Sequence, residues 1–117
     1  MRAFSVPGDR RLYHAAAVIA GNLVTVLLDE AATVLEHAGV PRATAFEVLQ
    51  PLAARSVANA HQGIRRALTG PIARDDEETI EAHRRALSAR HPAALPVYDA
   101  VVRRAKRLVS EEEPNPP

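Results

Sequence analysis

The sequence predicts an all-α protein, a bundle of four to five helices with one long, largely buried helix near the N-terminus. Three features of the 117 residues carry this prediction. Alanine, the strongest helix former, accounts for close to one residue in five. Aromatic residues are only 3% of the chain, and runs of the β-branched residues that favour strands are scarce. Apolar residues also recur at helical spacing in several segments.

The first helix is predicted to run from a cap at Asp9 to about residue 38, where Gly39 and Pro41 end it. Its apolar positions at helical spacing are Leu12, Ala16, Ile19, Leu23, Val26, Leu27, Val34 and Leu35. Such a helix is apolar on most sides, which is typical of a helix that is buried by several neighbours.

The remaining helices are shorter. A second helix is predicted over residues 42–60, with a kink or break near residues 49–50 because Pro51 lies in its interior. A short apolar turn over residues 64–68 ends at Thr69-Gly70-Pro71. The next helix starts in the acidic run at residues 75–79, capped by Asp75 or Asp76, and ends near residue 89. The last helix covers about residues 97–109.

This order gives a single helical domain with short flanks. Residues 1–8 look irregular and are interpreted as the remnant of an interdomain linker, and residues 9–110 as the helical domain. The charged, proline-rich residues 111–117 are predicted to be a disordered tail.

Composition excludes several classes of function. The chain has no cysteine, so it offers no disulfide, no thiol nucleophile and no cysteine-based zinc site. Its net charge of +1 gives no general attraction to nucleic acid or to an anionic membrane. The longest nearly apolar stretch, residues 15–28, is too short to span a bilayer. The five histidines form no metal-binding motif. We therefore expect a cytoplasmic protein without a metal, a nucleic-acid partner or a membrane.

One side of the first helix carries most of its polar residues. On a helical wheel they fall within a strip about 100° wide: Arg11, His14, Gly21, Asn22, Thr25, Asp29 and Glu36. The strip is either a solvent-facing side or a face that a ligand or another backbone approaches. Small residues occupy its middle, and a glycine inside a helix costs about 1 kcal/mol relative to alanine, which a close approach would offset.

Three segments resemble a known bacterial family: YHAAAVIAGNLVTVLLDEA (residues 13–31), LTGPIARDDEETIEAHRRAL (residues 68–87) and LPVYDAVVRRA (residues 95–105). Members of that family join an N-terminal Rossmann-like domain, which binds NAD(P), to a helical domain of unknown function. The helical part is similar to the C-terminal domains of 6-phosphogluconate dehydrogenase and pyrroline-5-carboxylate reductase. The resemblance covers nearly the whole chain and implies that the nucleotide-binding domain is missing from it.

The resemblance also implies a site. His14 occupies the place of a substrate-binding lysine and would be the catalytic proton donor, while Asn22, Thr25, Thr69, Gly70 and Arg74 would bind substrate. Two positions depart from the family pattern: Val18 stands where an asparagine would fall, and Arg74 is followed by Asp75 instead of glycine. The residues that would bind a cofactor stay unknown. NAD(P) is expected only with the missing domain, so the chain alone would bind no cofactor and be inactive.

Two functions stay open at this point. The chain is either the substrate-binding and dimerisation domain of an NAD(P)-dependent oxidoreductase or a non-catalytic helical module that dimerises or docks a partner. In both cases we expect a homodimer, because the first helix is apolar around more of its circumference than one small bundle can cover. The first function also implies a Rossmann-domain partner in a full-length protein.

Overall fold

The computed structural model describes residues 8–111, and these residues form helices without any strand. The helices are α1 (Arg10–Ala20), α2 (Asn22–His37), α3 (Arg42–Asn59), α4 (Ile64–Ala67), α5 (Gly70–Ala73), α6 (Glu77–Arg90) and α7 (Leu95–Ser110). Two 3-10 turns, Ala60–Gln62 and Pro92–Ala94, precede α4 and α7. The all-α prediction is confirmed. The predicted residues 1–7 of the linker and 112–117 of the tail lie outside the described part.

The helices α1 and α2 form one long helix, as predicted. The Asp9 carboxylate caps it by accepting the Arg11 N–H at 2.8 Å. At Gly21 the backbone N–H still donates to Ala17 at 2.9 Å, and Gly21 in turn accepts from Thr25 at 3.2 Å. Helical hydrogen bonding therefore passes through the glycine, and the whole helix covers Arg10–His37.

The prediction that this helix is largely buried is wrong. Every residue from 10 to 27 is exposed, and the side chains that should have been most deeply packed are among the most accessible: Leu12 is 70% and Ile19 61% exposed. The reason is topological, because α3 packs on α2 and is held there by Arg42 at Asp29 and Glu36, whereas the extended contacts of α1 are with α2 alone. We call residues 10–27 the arm and residues 28–110 the body.

The predicted number of four to five helices is also too low. Counting α1 and α2 as one, residues 8–111 contain six, because both sides of the Thr69-Gly70 corner close a helical turn of their own, α4 and α5. The break expected at Pro51 does not occur, since α3 continues through that proline, which lies exposed on its surface. Helix α3 starts at Arg42 without a side-chain cap.

In the body, α6 begins with the second of the two predicted caps. Asp76 accepts the Thr79 N–H at 3.1 Å and the Thr79 hydroxyl at 2.7 Å. These hydrogen bonds to the carboxylate hold the pKa of Asp76 below its usual value. Within residues 8–111 the buried core is small, and four of its six members are alanine: Ala32, Ala45, Ile80, Ala94, Val102 and Ala105.

Ion pairs join the helices of the body. Arg42, at the start of α3, bonds to both Asp29 and Glu36 of α2. Arg84 of α6 donates two hydrogen bonds to the Asp99 carboxylate of α7, from Nε to Oδ1 at 2.8 Å and from Nη2 to Oδ2 at 3.1 Å. No ion pair between described residues joins the arm to the body. The arm therefore projects from the body into solvent as an isolated part of the long helix.

Candidate functional site

The arm carries an apolar stripe at heptad spacing. Its members follow one another at intervals of four and three residues, which aligns them on one face of a helix: Leu12, Ala16, Ile19, Leu23 and Val26. We call this stripe the seam. All five side chains are exposed, and Val26 at 58% is nearly as accessible as Ile19. An exposed stripe of this spacing is the pattern by which one helix packs against another.

The polar strip lies on the opposite side of the same helix. His14, Asn22 and Thr25 are all exposed there. The Thr25 hydroxyl donates to the Gly21 carbonyl at 3.4 Å, and the His14 ring lies 5.7 Å from the Tyr13 ring. His14 and Thr25 point away from the seam, so a partner that covers the seam leaves them accessible, whereas Asn22 lies at the edge of the strip nearest to the seam.

The other predicted substrate-binding residues lie in the body. Thr69 precedes α5, Gly70 begins it in the left-handed region with φ at +76°, and Arg74 follows it as the C-terminal cap. The Arg74 guanidinium is largely exposed and lies 3.9 Å from the Asp76 carboxylate. Helix α5 packs against α6 and α7, whereas α1 continues into α2 and has no other extended contact among the described residues. Within one chain, therefore, the structure brings Thr69, Gly70 and Arg74 together but does not place them beside His14.

Asp75 is the residue that follows Arg74 where the family pattern has glycine, and its backbone conformation is one that favours glycine. Its φ is +55°, the left-handed region that glycine enters without strain. The turn between α5 and α6 thus keeps a glycine-like backbone although the residue is aspartate. The two turn bonds beside it are the Asp75 N–H to Ile72 at 3.2 Å and the Asp76 N–H to Pro71 at 2.8 Å.

An apolar groove of about 570 Å³ opens in the body. Its walls come from α2, α3, α5, α6, α7 and the 3-10 turn before α7. The lining residues are Leu27, Glu30, Ala31, Val34, Leu35, Leu49, Ile72, His83, Ala86, Leu87, Ala94, Val97, Tyr98, Val101 and Val102. Of these, Leu27, Val97 and Val101 are large apolar side chains that remain exposed. The groove is of a size that proteins use for ligands or for a partner's side chains.

A few polar groups border the groove. Glu30 accepts from or pairs with His91 Nε2 at 2.8 Å, and the His91 ring stacks on that of His37 at 4.7 Å. On the other side, His83 Nδ1 and the Tyr98 hydroxyl lie 2.9 Å apart. Burial, together with the nearby Asp99 carboxylate, raises the pKa of the Tyr98 hydroxyl. These side chains are satisfied by one another, so they frame the groove and leave its floor apolar.

Sequence reasoning missed this arrangement. The site predicted from the sequence contained none of the polar residues that border the groove. The structure pairs His91 with Glu30, 61 positions away, and His83 with Tyr98, 15 positions away. No local spacing rule links positions so far apart, so only the tertiary structure reveals these two contacts.

Two further properties bear on function. Among residues 8–111, no three histidine, aspartate or glutamate side chains are grouped to hold a metal. The helix Arg10–His37 is long and apolar enough to cross a membrane by length and composition. A single helix of this kind is a weak indication, because core helices of water-soluble proteins and signal sequences meet the same criterion.

Comparison with known proteins identifies a family. The model of the family described as Domain of unknown function (DUF2520) matches residues 2–105, so the chain belongs to this family. No curated protein and no solved structure matches the chain. The match spans the arm, the groove and the α5 corner together.

Proposed function

With membership of the DUF2520 family as the premise, we propose that this chain is an association domain: two copies pair through the seam of the arm. The observation that carries the proposal is the exposure of the seam. A helix with Leu12, Ile19 and Val26 directed into water at heptad spacing leaves apolar area uncovered. A second copy can cover this stripe, and two-fold association of identical chains is the commonest way in which chains associate.

The accessible surface of the chain supports this. It amounts to 9275 Å² for 12.6 kDa, whereas a compact monomer of that mass exposes about 6,200 Å². The radius of gyration is likewise large, 16.5 Å against about 13 Å for a compact domain of this length. The chain thus exposes roughly 3,000 Å² more than a compact monomer. Each partner in a standard interface buries ~800 Å², so the uncovered surface is large enough for such an interface.

Water, not lipid, is the medium we propose for this pairing. The strip with His14, Asn22 and Thr25 follows the arm along its length, and a lipid environment would leave those polar groups without water. The second half of α2 is also held by the body, where Ala32 is fully buried. A helix with one apolar stripe and one polar strip suits a helix–helix contact in the cytoplasm.

The finer proposal concerns chemistry. We propose that the domain belongs to an NAD(P)-dependent oxidoreductase and is similar to the C-terminal domains of 6-phosphogluconate dehydrogenase and pyrroline-5-carboxylate reductase. A nucleotide-binding domain would then face the polar strip, with His14 as proton donor and Asn22 orienting substrate oxygens. The accessibility of the strip opposite the seam supports this, because pairing through the seam leaves room for a second domain.

The alternative is a module that only dimerises or docks a partner. The genomic sequence in frame upstream of Met1 discriminates between the two. A Rossmann domain encoded there favours the oxidoreductase. The full-length protein should then oxidise or reduce NAD(P), and His14→Ala should lower its turnover far more than it weakens cofactor binding. An independent start and no such neighbour favour the association module.

The experiment for the association itself compares two exposed positions. Ile19→Arg places a charge in the seam, whereas Val57→Arg places the same charge on α3 at a side chain of similar exposure, 64% against 61%. Sedimentation velocity over a concentration series should show the dissociation constant of the pair raised at least about 100-fold by Ile19→Arg, since an unpaired charge would have to be buried. Val57→Arg should leave it unchanged. Equal behaviour of the two variants would refute pairing through the seam.

A further inference from the structure

The groove and the helix α1 are two uncovered apolar surfaces of the same chain. Helix α1 continues α2 through Gly21, so it extends away along the α2 axis and cannot fold back onto its own groove. The groove lies beside α2 and faces the same side of that helix as the seam, since Leu27 and Val34 follow the seam positions on the helical wheel. Among the helices of residues 8–111, the exposed α1 can therefore lie along the groove only when it comes from a second copy.

The dimensions of the two surfaces agree. The groove-lining residues of α2 run from Leu27 to Leu35, nine residues or about 12 Å of helix. Helix α1 has 11 residues, or about 15 Å on the same count. An α1 helix is therefore about two residues, or roughly 3 Å, longer than the groove-lining part of α2. Leu12, Ala16 and Ile19 provide the i, i+4, i+7 anchors by which an amphipathic helix enters an apolar groove.

The charges of α1 and the groove agree at one position. Helix α1 carries Arg10 and Arg11 and no acidic residue. Of the acidic side chains of α2, Asp29 and Glu36 lie in the polar strip and pair with Arg42, whereas Glu30 belongs to the groove wall and is one-third exposed beside His91. When the two-fold axis is perpendicular to the helices, the arms run antiparallel, and the arginines of one copy approach the acidic second half of α2 in the other.

We propose that α1 of a second copy lies in the groove between α2, α6 and α7, while α1 of the first copy lies in the partner's groove. This inference rests on the proposed association and names its mode: each copy completes the apolar cover of the other by exchanging arms. The seam then contacts Leu27, Val97 and Val101, and the polar strip with His14 and Thr25 faces outward.

The absence of cysteine from the chain allows a direct test, because introduced cysteines are the only thiols. A Leu12→Cys chain is mixed with a mass-tagged Val101→Cys chain at tens of micromolar and oxidised. The mixture should form a disulfide-linked heterodimer that each variant alone does not form. The control replaces Val101→Cys by Val57→Cys, an exposed valine of α3 outside the groove, and should give no additional link.

A second pair of variants fills the groove without touching the arm. Ala86→Trp adds volume at a groove-lining alanine of α6, and Ala89→Trp adds it at an exposed alanine of α6 outside the lining. Ala86→Trp should raise the dissociation constant of the pair about tenfold or more, as overpacking of a contact does. Ala89→Trp should leave it within about threefold, and circular dichroism should show both variants equally helical.

The outcomes separate this inference from the association on which it rests. A dimer whose Ile19→Cys copies link to each other, with no Leu12–Val101 link, would mean that the arms pair along their seams and would overturn the exchange alone. The exchange would also be overturned, with the association intact, if anilinonaphthalene sulfonate binds the wild-type dimer one-to-one per chain and Ala86→Trp abolishes that binding without weakening the dimer. A chain that stays monomeric at tens of micromolar would overturn both.

Discussion

The arm and the body are built from the same kinds of residue, but the apolar side chains of the arm are exposed to water whereas the core side chains of the body are buried. In both, alanine and branched aliphatic side chains recur at helical spacing. Ile19 of the arm is 61% exposed, whereas Ile80 of the body is 3% exposed. In the body, helices from distant parts of the chain pack on one another around the small core, and ion pairs of Arg42 and Arg84 join them.

Periodicity therefore specifies which face of a helix needs cover but not which molecule supplies it. Within residues 8–111, the apolar stripe of the arm has no counterpart within reach. In the body the counterpart is another helix of the same chain. We therefore expect equal substitutions in the two regions to act on different equilibria: folding in the body and association in the arm.

The largest contrast should come from Ile80→Ala against Ile19→Ala. The first leaves a cavity in the body and should lower the free energy of unfolding by about 2–4 kcal/mol at any protein concentration. The second, measured where the chain is monomeric, should change it by less than about 0.5 kcal/mol, because the side chain is exposed and alanine favours a helix. Urea denaturation at two concentrations measures both. Similar losses in dilute solution would erase the distinction between the regions.

A smaller effect is expected at the turn between α5 and α6, where the body uses a left-handed residue. Asp75→Gly should raise the free energy of unfolding by about 0.5–1 kcal/mol, because glycine adopts the positive φ without a steric cost. Asp75→Ala removes the same charge but keeps a Cβ atom, so it is the matched control and should not stabilise. Equal thermal stability of the two variants would count against strain at this position.

The sequence predicted the local features of the structure, whereas features that depend on distant helices could not be predicted from it. The long helix, its Asp9 cap and the Asp76 cap were predictable because each depends on neighbours within one or two turns. The exposure of the arm was not, since burial depends on where distant helices pack. The groove escaped for the same reason: Glu30 and His91 meet only through tertiary packing. The helical wheel predicted the polar strip with His14, but it could not predict that the strip lies away from the turn around α5 with Thr69, Gly70 and Arg74.

The pH dependence of stability should also belong to the body. The hydrogen-bonded Arg84 guanidinium lowers the pKa of Asp99 below its ordinary value of 3.8. The pair therefore stabilises the fold above that pH, and this contribution is lost as the pH falls through the lowered pKa. Asp99→Asn should reduce stability at pH 7 and make it less sensitive to acid below about pH 4. The effect is modest, because water screens a partly exposed pair.

The check is a series of thermal melts of both proteins from pH 7 to pH 2. If wild type and Asp99→Asn lose stability in parallel over that whole range, the Arg84–Asp99 pair does not contribute as described. An arm variant such as Ile19→Ala serves as a control and should keep the acid dependence of the wild type.

The smallest effects are expected in the polar strip. His14→Ala and Asn22→Ala should each change the free energy of unfolding by less than about 0.5 kcal/mol, because both side chains are exposed and lie outside the seam. Denaturant melts at fixed protein concentration measure this, since association is coupled to stability. A loss above about 1.5 kcal/mol would show that the residue satisfies a structural partner and would remove it from the proposed site.

The molar mass of the wild-type chain in solution decides whether the seam is an interface between copies. Light scattering at tens of micromolar should give twice the 12.6 kDa of one chain, with Ile19→Arg returning to the mass of one chain and Val57→Arg remaining at two. A wild-type mass of one chain at that concentration would contradict pairing through the seam, because the seam would then be stable in water without a second copy to cover it.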